Sequence, residues 1–191
     1  QRLCPVPLRA SPKLPIERAL NMIGPREGRF TSKGNPVPMP QQSVVLQVLG
    51  TLTLWIGWFY FNAVSTLHAD RSGLAAHCCF NTIVSASAGA ISATLFHYVK
   101  YGFTDPSSTC NGILSGLVAI TAGCATSNSL GALLTGLVSG PVYICSVRIV
   151  EAFLKVDDVC QVVSVHGFNG IWGVVAASLF ATPWYYDVAY P

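Results

Sequence analysis

The chain has 191 residues, of which 51% are hydrophobic and only 10% are charged, and its mean hydropathy is +0.50. A typical soluble domain contains about 25% charged residues, so the composition is that of a membrane protein and leaves too few charges to surround a soluble core of long apolar helices. The formal net charge is +3, but seven of the eleven Lys and Arg residues lie at or before Lys33, so the basicity belongs to one terminal segment and indicates no nucleic-acid surface.

The predicted organisation is an arm followed by a membrane domain. Residues 1–42 are Pro-rich and basic, lack the apolar core of a signal peptide, and are expected to form a loop-like cytoplasmic arm. Long uncharged stretches follow, and a spanning helix needs roughly 20 predominantly apolar residues. The stretches predict an all-α, polytopic membrane domain at 43–183 with about five transmembrane helices and an external tail at 184–191. The predicted spans are about 44–67, 74–99, 110–124, 130–147 and 159–181.

Two features of these spans bear on packing and capping. The second span contains the segment NTIVSASAGAISATL, and small residues let helix backbones approach closely in lipid. The acidic pair Asp157 and Asp158 precedes the fifth span, where negative charge complements the positive end of the helix dipole. We therefore expect a closely packed bundle whose fifth helix has an acidic start.

The distribution of basic residues predicts the orientation. If the N-terminal arm is cytoplasmic, ten Lys and Arg residues lie on that side and only Arg71 lies on the other. Cytoplasmic loops of membrane proteins carry the excess of basic residues. We therefore expect a cytoplasmic N-terminus and, because the number of spans is odd, an external C-terminus.

His166 is a titratable residue inside the apolar fifth span, in the segment VVSVHGFNGIW. On an ideal α-helix, with about 100° per residue, Asn169, Gly170 and Gly173 fall on the same face as His166. One interpretation is helix packing, in which the glycines seat a neighbouring helix and the histidine bonds a carbonyl. The other is a transport pathway, because ionisable groups are costly in hydrocarbon and mark functional sites.

The first span places Trp58, Phe61 and Ser65 on one helix face. Aromatic faces attract small cations where water is excluded, and a serine oxygen accepts a hydrogen bond from an N–H donor. This face is therefore a candidate cation site. The alternative is a set of interfacial aromatic residues that anchor the helix at the membrane surface.

Catalysis and metal binding find no support in the sequence. There is no Gly-x-Ser segment, which argues against a serine hydrolase of the nucleophile-elbow type. The histidines and the seven cysteines lack the tight spacing of metal ligands. We expect no enzyme activity, no metal and no cofactor.

Five segments, taken in order, resemble the ammonium transporter family, which includes the Amt and Mep proteins and is related to the Rhesus proteins. They are GPREGRF, GTLTLWIGWFYFNAVS, FNTIVSASAGAISATL, NGILSGLVAITAGCA and VDDVCQVVSVHGFNGIWG. The resemblance covers about residues 24–183 and implies the cytoplasmic loop after the fifth family helix, then helices six to ten of an eleven-helix protomer. The chain would then be nearly one inverted repeat, the second half of the fold.

The resemblance also implies residue roles. Four residues match the family's pathway: His166 the second of two pore histidines, Phe61 one of two gating phenylalanines, Trp58 a pore-lining tryptophan, and Ser65 the hydroxyl of the external recruitment site. Asp157 and Asp158 match an acidic pair that caps the histidine helix.

The function implied by the resemblance is transport of ammonium, ammonia and methylammonium through a hydrophobic pore. Ammonium loses its proton before the constriction, because an unpaired charge is too costly there, and ammonia then passes the histidines. The implied partners are the lipid bilayer, in this case the plasma membrane, and two further copies in a homotrimer.

Helices one to five of the family, with the first pore histidine, have no counterpart in residues 1–23. Two hypotheses follow. In the first, the chain is part of a full-length transporter and acts within it. In the second, it is a truncated membrane protein that does not transport and at most modulates intact subunits.

Overall fold

The structure is a computed structural model that describes residues 24–39, 41–67 and 70–190. Its regular structure within these ranges is helical, which confirms the predicted all-α class. The α-helices are α1 (Val44–Val64), α2 (Ser72–Tyr101), α3 (Pro106–Thr121), α4 (Ser129–Arg148), α5 (Asn169–Phe180) and α6 (Pro183–Ala189). Two π-helical turns extend α4 and precede α5, at Ile149–Phe153 and Val163–Phe168. Most of the predicted arm, residues 1–23, lies outside the described residues.

Four segments of the described chain are long and apolar enough to cross a membrane: Val44–Val64, Ser72–Tyr101, Ser129–Phe153 and Val163–Phe180. The helix at the remaining predicted span, α3, has 16 residues. At 1.5 Å per residue it is about 24 Å long, which is less than the ~30 Å hydrocarbon core of a bilayer. Four of the five predicted spans therefore contain a helical segment of spanning length, and the segment at the third predicted span is shorter.

Polar side chains and one glycine define several helix ends. Ser43, Asp105 and Asn128 each accept hydrogen bonds from backbone amides in the first turns of α1, α3 and α4. Such N-caps satisfy amides that have no partner within the helix. Gly102 ends α2 with a φ of +80°, a left-handed conformation that favours glycine. Local sequence thus sets these boundaries.

The core lies where α2 crosses α3 and α4. Gly116 of α3 and Gly136 of α4 both lie against the backbone carbonyl of Ser85, where a Cβ atom would not fit. Ser85 is fully buried, and its hydroxyl donates a hydrogen bond to the Gly116 carbonyl at 2.8 Å. The small residues of the second span therefore form the contact surface, because close packing and interhelical hydrogen bonds hold helices together in lipid.

Helix α1 lies at the edge of the bundle, and only Thr51 and Asn62 among its residues are buried. Three side-chain hydrogen bonds attach it to its neighbours, one of them from the Cys79 thiol of α2 to the Phe59 carbonyl at 4.0 Å. Asn62 Nδ2 donates to Thr82 Oγ1 of α2 at 2.9 Å, and Trp58 Nε1 donates to Thr121 Oγ1 of α3 at 2.9 Å. Most other side chains of α1 remain exposed or half-buried.

Residues 184–191 were expected to form a tail, but the structure has the short helix α6 there. Proline at position 183 suits the first helical position, because its missing N–H would have no helical partner. The Tyr185 ring stacks on His77, with centroids 4.2 Å apart. Arg71 Nη1 also donates to the carbonyl of Ala189 at 3.3 Å, a contact across 118 positions that local patterns do not predict.

Candidate functional site

Three predicted site residues lie side by side on the surface of the bundle. The Trp58 and Phe61 rings of α1 have centroids 5.9 Å apart, and the Trp58 and His166 rings have centroids 6.3 Å apart with an interplanar angle of 28°. Both separations lie within the range of about 4.5–7 Å at which aromatic rings interact. The fold therefore joins α1 to the histidine segment through Trp58.

This row of rings faces outward from the described bundle. Phe61 is 57% exposed, His166 is exposed and Trp58 is half-buried. A large apolar ring beside a titratable ring on an open surface is typical of a binding or contact face. Within the described residues, the row is one wall of a site that is open on its other side.

Ser65 extends the row at the end of α1. It follows the last residue of the helix, it is exposed, and its hydroxyl donates a hydrogen bond to the Phe61 carbonyl. The hydroxyl oxygen keeps lone pairs that can accept a hydrogen bond from a ligand. Along α1, the order from the helix end inward is Ser65, Phe61 and Trp58, with His166 beside Trp58.

His166 lies within the π-helical turn Val163–Phe168, and this changes which residues share its face. A π-helix bonds i to i+5 and therefore turns less per residue than the α-helix that the sequence analysis assumed. Asn169, expected beside His166, is fully buried, and Gly173 lies against the backbone of α3. Gly173 therefore seats a neighbouring helix, as the helix-packing interpretation expects, and of the three residues only Gly170 borders open space.

Asp158 lies at the start of the histidine segment. Its carboxylate accepts hydrogen bonds from the backbone amides of Val162 and Val163, both at 2.8 Å, and from Ser164 at 3.4 Å. These amides stand at the start of the π-helical turn, where no earlier residue supplies a helical acceptor. Asp158 is only 7% exposed, so these bonds are shielded from water.

Asp157 has a different role from its neighbour. Its carboxylate accepts hydrogen bonds from Arg26 Nε at 2.8 Å and Nη2 at 2.9 Å, and it lies 3.2 Å from Arg29 Nε. Arg29 also forms an ion pair with Glu151. The Arg26 hydrogen bond lowers the pKa of Asp157 to about 2 and raises the pKa of Arg26. Asp157 therefore fastens the GPREGRF loop to the segment before His166 and does not cap the helix as expected.

A further contact beside His166 has no signature in the sequence. The side-chain oxygen of Gln161 accepts hydrogen bonds from Asn111 Nδ2 of α3, at 2.7 Å, and from the Tyr143 hydroxyl of α4. These partners are 50 and 18 positions away along the chain. Asn111 opens the segment NGILSGLVAITAGCA, but nothing in the sequence links it to Gln161 or Tyr143, so only the fold brings the three together.

The remaining histidines lie apart from the row. His77 Nε2 is 2.9 Å from the Ser127 carbonyl, and His97 Nδ1 is 3.0 Å from the Phe103 carbonyl. His68 lies outside the described residues. Among the side chains that the structure describes, no group of three His, Cys, Asp or Glu residues could hold a metal ion.

The chemistry of the row suits a small cation. The faces of Phe61 and Trp58 attract positive charge, more strongly where water is excluded. The Ser65 oxygen can accept a hydrogen bond, and an imidazole such as that of His166 can accept or donate a proton. The four groups therefore combine cation attraction with a proton acceptor.

Comparison with known proteins assigns the chain to a family. The model of the Ammonium Transporter Family matches residues 19–190. Ammonium transporter Amt2 of Archaeoglobus fulgidus is 39% identical over 165 residues, which are 85% of this chain and 34% of the relative. Ammonium transporter 1 member 3 of Solanum lycopersicum is 37% identical over 170 residues, 83% of this chain and 36% of the relative. The chain thus spans about a third of the length of these relatives.

Solved structures agree with this assignment. A structure titled Sensor Amt Protein matches with a TM-score of 0.83 and 32% identity, covering 88% of this chain and 41% of that chain. Saccharomyces cerevisiae Mep2 matches with a TM-score of 0.71 and 30% identity, covering 78% of this chain and 34% of that chain. With its apolar helices of spanning length, the chain is an integral membrane protein whose relatives are transporters, not enzymes. It belongs to the ammonium transporter family.

Proposed function

We propose that the chain supplies one wall of a pathway through which ammonium, ammonia and methylammonium cross a membrane. The observation that carries this proposal is the outward-facing row of Ser65, Phe61, Trp58 and His166, whose three rings are linked by centroid distances of 5.9 and 6.3 Å. The names of the relatives support ammonium as the substrate.

The order of groups along α1 supports a stepwise passage. Ammonium reaches the end of α1 first, where Ser65 accepts a hydrogen bond and the Phe61 ring partly replaces hydration. The charge is costly in an apolar constriction, so the proton leaves the ammonium before neutral ammonia passes. His166 lies beside Trp58, further inward, and its imidazole is suited to accept or relay the proton.

The row formed by Ser65, Phe61, Trp58 and His166 is open on one side, and a closed pathway requires further helices there. The chain spans about a third of the length of its relatives, and the row of rings is exposed in the described bundle. We propose that helices equivalent to the first half of the family fold cover it within a longer protomer, and that three such protomers form a homotrimer. Apolar covering helices would exclude water from the pathway and strengthen its interaction with a cation.

The arrangement in the membrane follows from charge. We propose that 43–183 is the transmembrane domain, in the plasma membrane, with the N-terminal arm in the cytoplasm. Lys100, Arg148 and Lys155 then lie on the cytoplasmic side, as the positive-inside rule requires. Arg71 and α6 lie on the external side, where Arg71 binds the Ala189 carbonyl.

The proposal is tested by adding the missing helices of the pathway to the chain. The chain is expressed alone, and also fused behind the first five helices of Archaeoglobus fulgidus Amt2, in a host without ammonium uptake. Radiolabelled methylammonium uptake and membrane currents are recorded for both. We expect uptake only from the fusion protein, and we expect His166→Ala in the fusion to alter the current or the ion selectivity, because the proton acceptor is lost.

A matched variant separates the role of His166 from loss of a histidine in general. His97→Ala removes an imidazole that lies off the row, against the Phe103 carbonyl, and should leave uptake and currents unchanged. A correctly inserted fusion that shows no uptake would contradict the proposal. It would favour the alternative of a membrane protein that only modulates intact subunits, which is measured by co-expression with an intact relative.

A further inference from the structure

Gln161 lies five residues before His166 and has an unusual backbone conformation. Its φ is +56°, in the left-handed region that a residue with a Cβ atom rarely adopts. The peptide around it is nevertheless fully bonded. Its N–H donates to the Asp158 carbonyl at 3.0 Å, and its own carbonyl accepts from the Val165 amide at 2.8 Å. The residue is thus the point at which the chain enters the histidine segment.

The side chain of Gln161 is hydrogen-bonded to residues of two other helices, α3 and α4. Its oxygen Oε1 accepts hydrogen bonds from Asn111 Nδ2 at 2.7 Å and from the Tyr143 hydroxyl, and Asn111 Nδ2 also lies 3.2 Å from that hydroxyl. Asn111 is 7% exposed and Tyr143 is 2% exposed. A buried polar group without a hydrogen-bond partner destabilises the fold. The three mutually bonded side chains of Gln161, Asn111 and Tyr143 therefore anchor Gln161 to α3 and α4.

The residue on the N-terminal side of His166 links this anchor to the ring. The Val165 amide donates its hydrogen bond to the Gln161 carbonyl, and Val165 is itself buried in a cluster with Ala93, Tyr143 and Ile144. His166, the next residue along the turn, is exposed. The rotation of the segment, and with it the direction of the His166 ring, is therefore set at Gln161 and Val165.

We propose that Gln161 is a positioning residue for His166, which it acts on by anchoring the start of the π-helical turn to Asn111 and Tyr143. This role rests on the proposed function, because it matters for transport only if His166 lines the pathway. The anchor holds the imidazole beside the Trp58 ring, at a centroid distance of 6.3 Å. Positioning of this kind requires a side chain whose own orientation is locked by a surrounding shell of bonds.

The test measures the ring pair directly and needs no transport. The chain is prepared in detergent with Trp55, Trp172 and Trp184 replaced by phenylalanine, so that Trp58 is the only indole. Protonated imidazole quenches indole fluorescence, so emission should fall as the pH is lowered and the imidazole beside Trp58 takes up a proton. His166→Ala should abolish this fall, which assigns it to the pair.

Variants of Gln161 then decide the proposal. We expect Gln161→Leu to lose the pH-dependent quench, because leucine cannot accept either hydrogen bond. We expect Gln161→Glu to keep the quench, since glutamate retains the side-chain oxygen that accepts both hydrogen bonds. Cys160→Ala, at the exposed neighbouring position, is the matched control and should leave the quench unchanged. Circular dichroism verifies that helicity is equal in all variants.

Two results would overturn the proposal. One is a Gln161→Leu variant that keeps both the amplitude and the midpoint of the quench; the other is a parent protein without any His166-dependent quench. If Gln161→Leu lowers the helicity, Tyr143→Phe takes its place, because it removes only the hydroxyl donor, and an unchanged quench in that variant would also overturn the proposal. None of these results depends on uptake, so failure here is distinguishable from failure of the proposed function.

Discussion

The imidazole of His166 lies beside the indole of Trp58, with ring centroids 6.3 Å apart and planes inclined by 28°. The two residues are on different segments, and each is held by a bond to the bundle rather than to the other. Trp58 Nε1 donates to Thr121 Oγ1 at 2.9 Å, and the histidine segment is anchored by Asp158 and Gln161. The geometry of the row therefore depends on residues outside it, and these can be changed without touching the rings.

The bond between Trp58 and Thr121 is expected to stabilise the docking of α1. Thr121→Val removes the acceptor while keeping the shape of the side chain, and it leaves the half-buried indole N–H without its partner. We expect the free energy of unfolding to fall by about 0.5–1.5 kcal/mol, the usual net contribution of one hydrogen bond. Denaturant unfolding in mixed micelles, followed by tryptophan fluorescence, measures this change.

Thr53→Val is the matched control for that variant. The hydroxyls of Thr53 and Thr121 each donate a hydrogen bond to the carbonyl four residues earlier, at 2.8 Å. Of the two, only Thr121 also accepts a hydrogen bond from the Trp58 indole. Thr53→Val should therefore change stability little. An equal loss in both variants would show that the intrahelical bond, not the contact with Trp58, is responsible.

The ion pair between Arg26 and Asp157 is expected to make stability depend on pH. The folded protein holds the pKa of Asp157 at about 2, below the ordinary aspartate value of 3.8. A lowered carboxyl pKa stabilises the fold above the ordinary value, and this contribution is lost as the pH falls from 3.8 towards about 2. Asp157→Asn should cost about 1 kcal/mol at neutral pH, because the Arg26 side chain is 43% exposed and its pairing is screened by water.

The pH dependence of the unfolding free energy tests this expectation. The curves of the parent protein and Asp157→Asn should differ at neutral pH and converge near pH 2, where the carboxylate of the parent becomes protonated. Asp187→Asn, at an exposed position of α6, should run parallel to the parent throughout. Curves for Asp157→Asn that stay separate below that pH would contradict an electrostatic origin.

Two glycines of α5 should respond in opposite directions to alanine. A Cβ atom at Gly173 would lie 2.6 Å from the Ala119 carbonyl oxygen, whereas a Cβ atom at Gly170 would meet nothing within 4 Å. Gly173→Ala should destabilise the protein by about 1–3 kcal/mol, because the backbone of α3 must move. Gly170→Ala should be neutral or stabilise by up to about 1 kcal/mol, since alanine favours the helix.

Thermal unfolding in detergent compares these two variants under identical conditions. Both changes add the same methyl group to the same helix, so helix propensity cancels in the comparison. A Gly173→Ala protein as stable as Gly170→Ala would mean that α3 and α5 do not pack as closely as the structure has them.

Helix placement was predictable because it depends on local properties. Uncharged stretches, N-cap residues and Gly102 are read along the chain, and the α-helices lie close to the predicted spans at 44–67, 74–99 and 130–147. The end of the chain was not predictable in the same way. The helix Pro183–Ala189 was not among the predicted elements, and the stacking of Tyr185 on His77 joins residues that lie far apart in the sequence.

In the candidate site, too, some residues are placed by local helix geometry and others by the tertiary structure. Trp58, Phe61 and Ser65 share a regular α-helix and its end, so counting 100° per residue places them together correctly. At His166 a π-helical turn intervenes, and the fold decides that Asn169 and Gly173 pack into the bundle while Gly170 borders open space. The two residues of the acidic pair are adjacent in sequence but have different partners: Asp157 accepts from Arg26, and Asp158 accepts from the Val162 amide.

The sequence by itself determined that this is a helical membrane protein and which family it belongs to. These properties follow from composition and from ordered local motifs, because a backbone in lipid must satisfy its hydrogen bonds within each segment. Only the tertiary structure decided that His166 lies beside Trp58, that Asp157 binds Arg26, and that Gln161 is anchored by Asn111 and Tyr143. Each of these contacts joins side chains from separate segments, and their meeting depends on how the helices rotate and pack against one another.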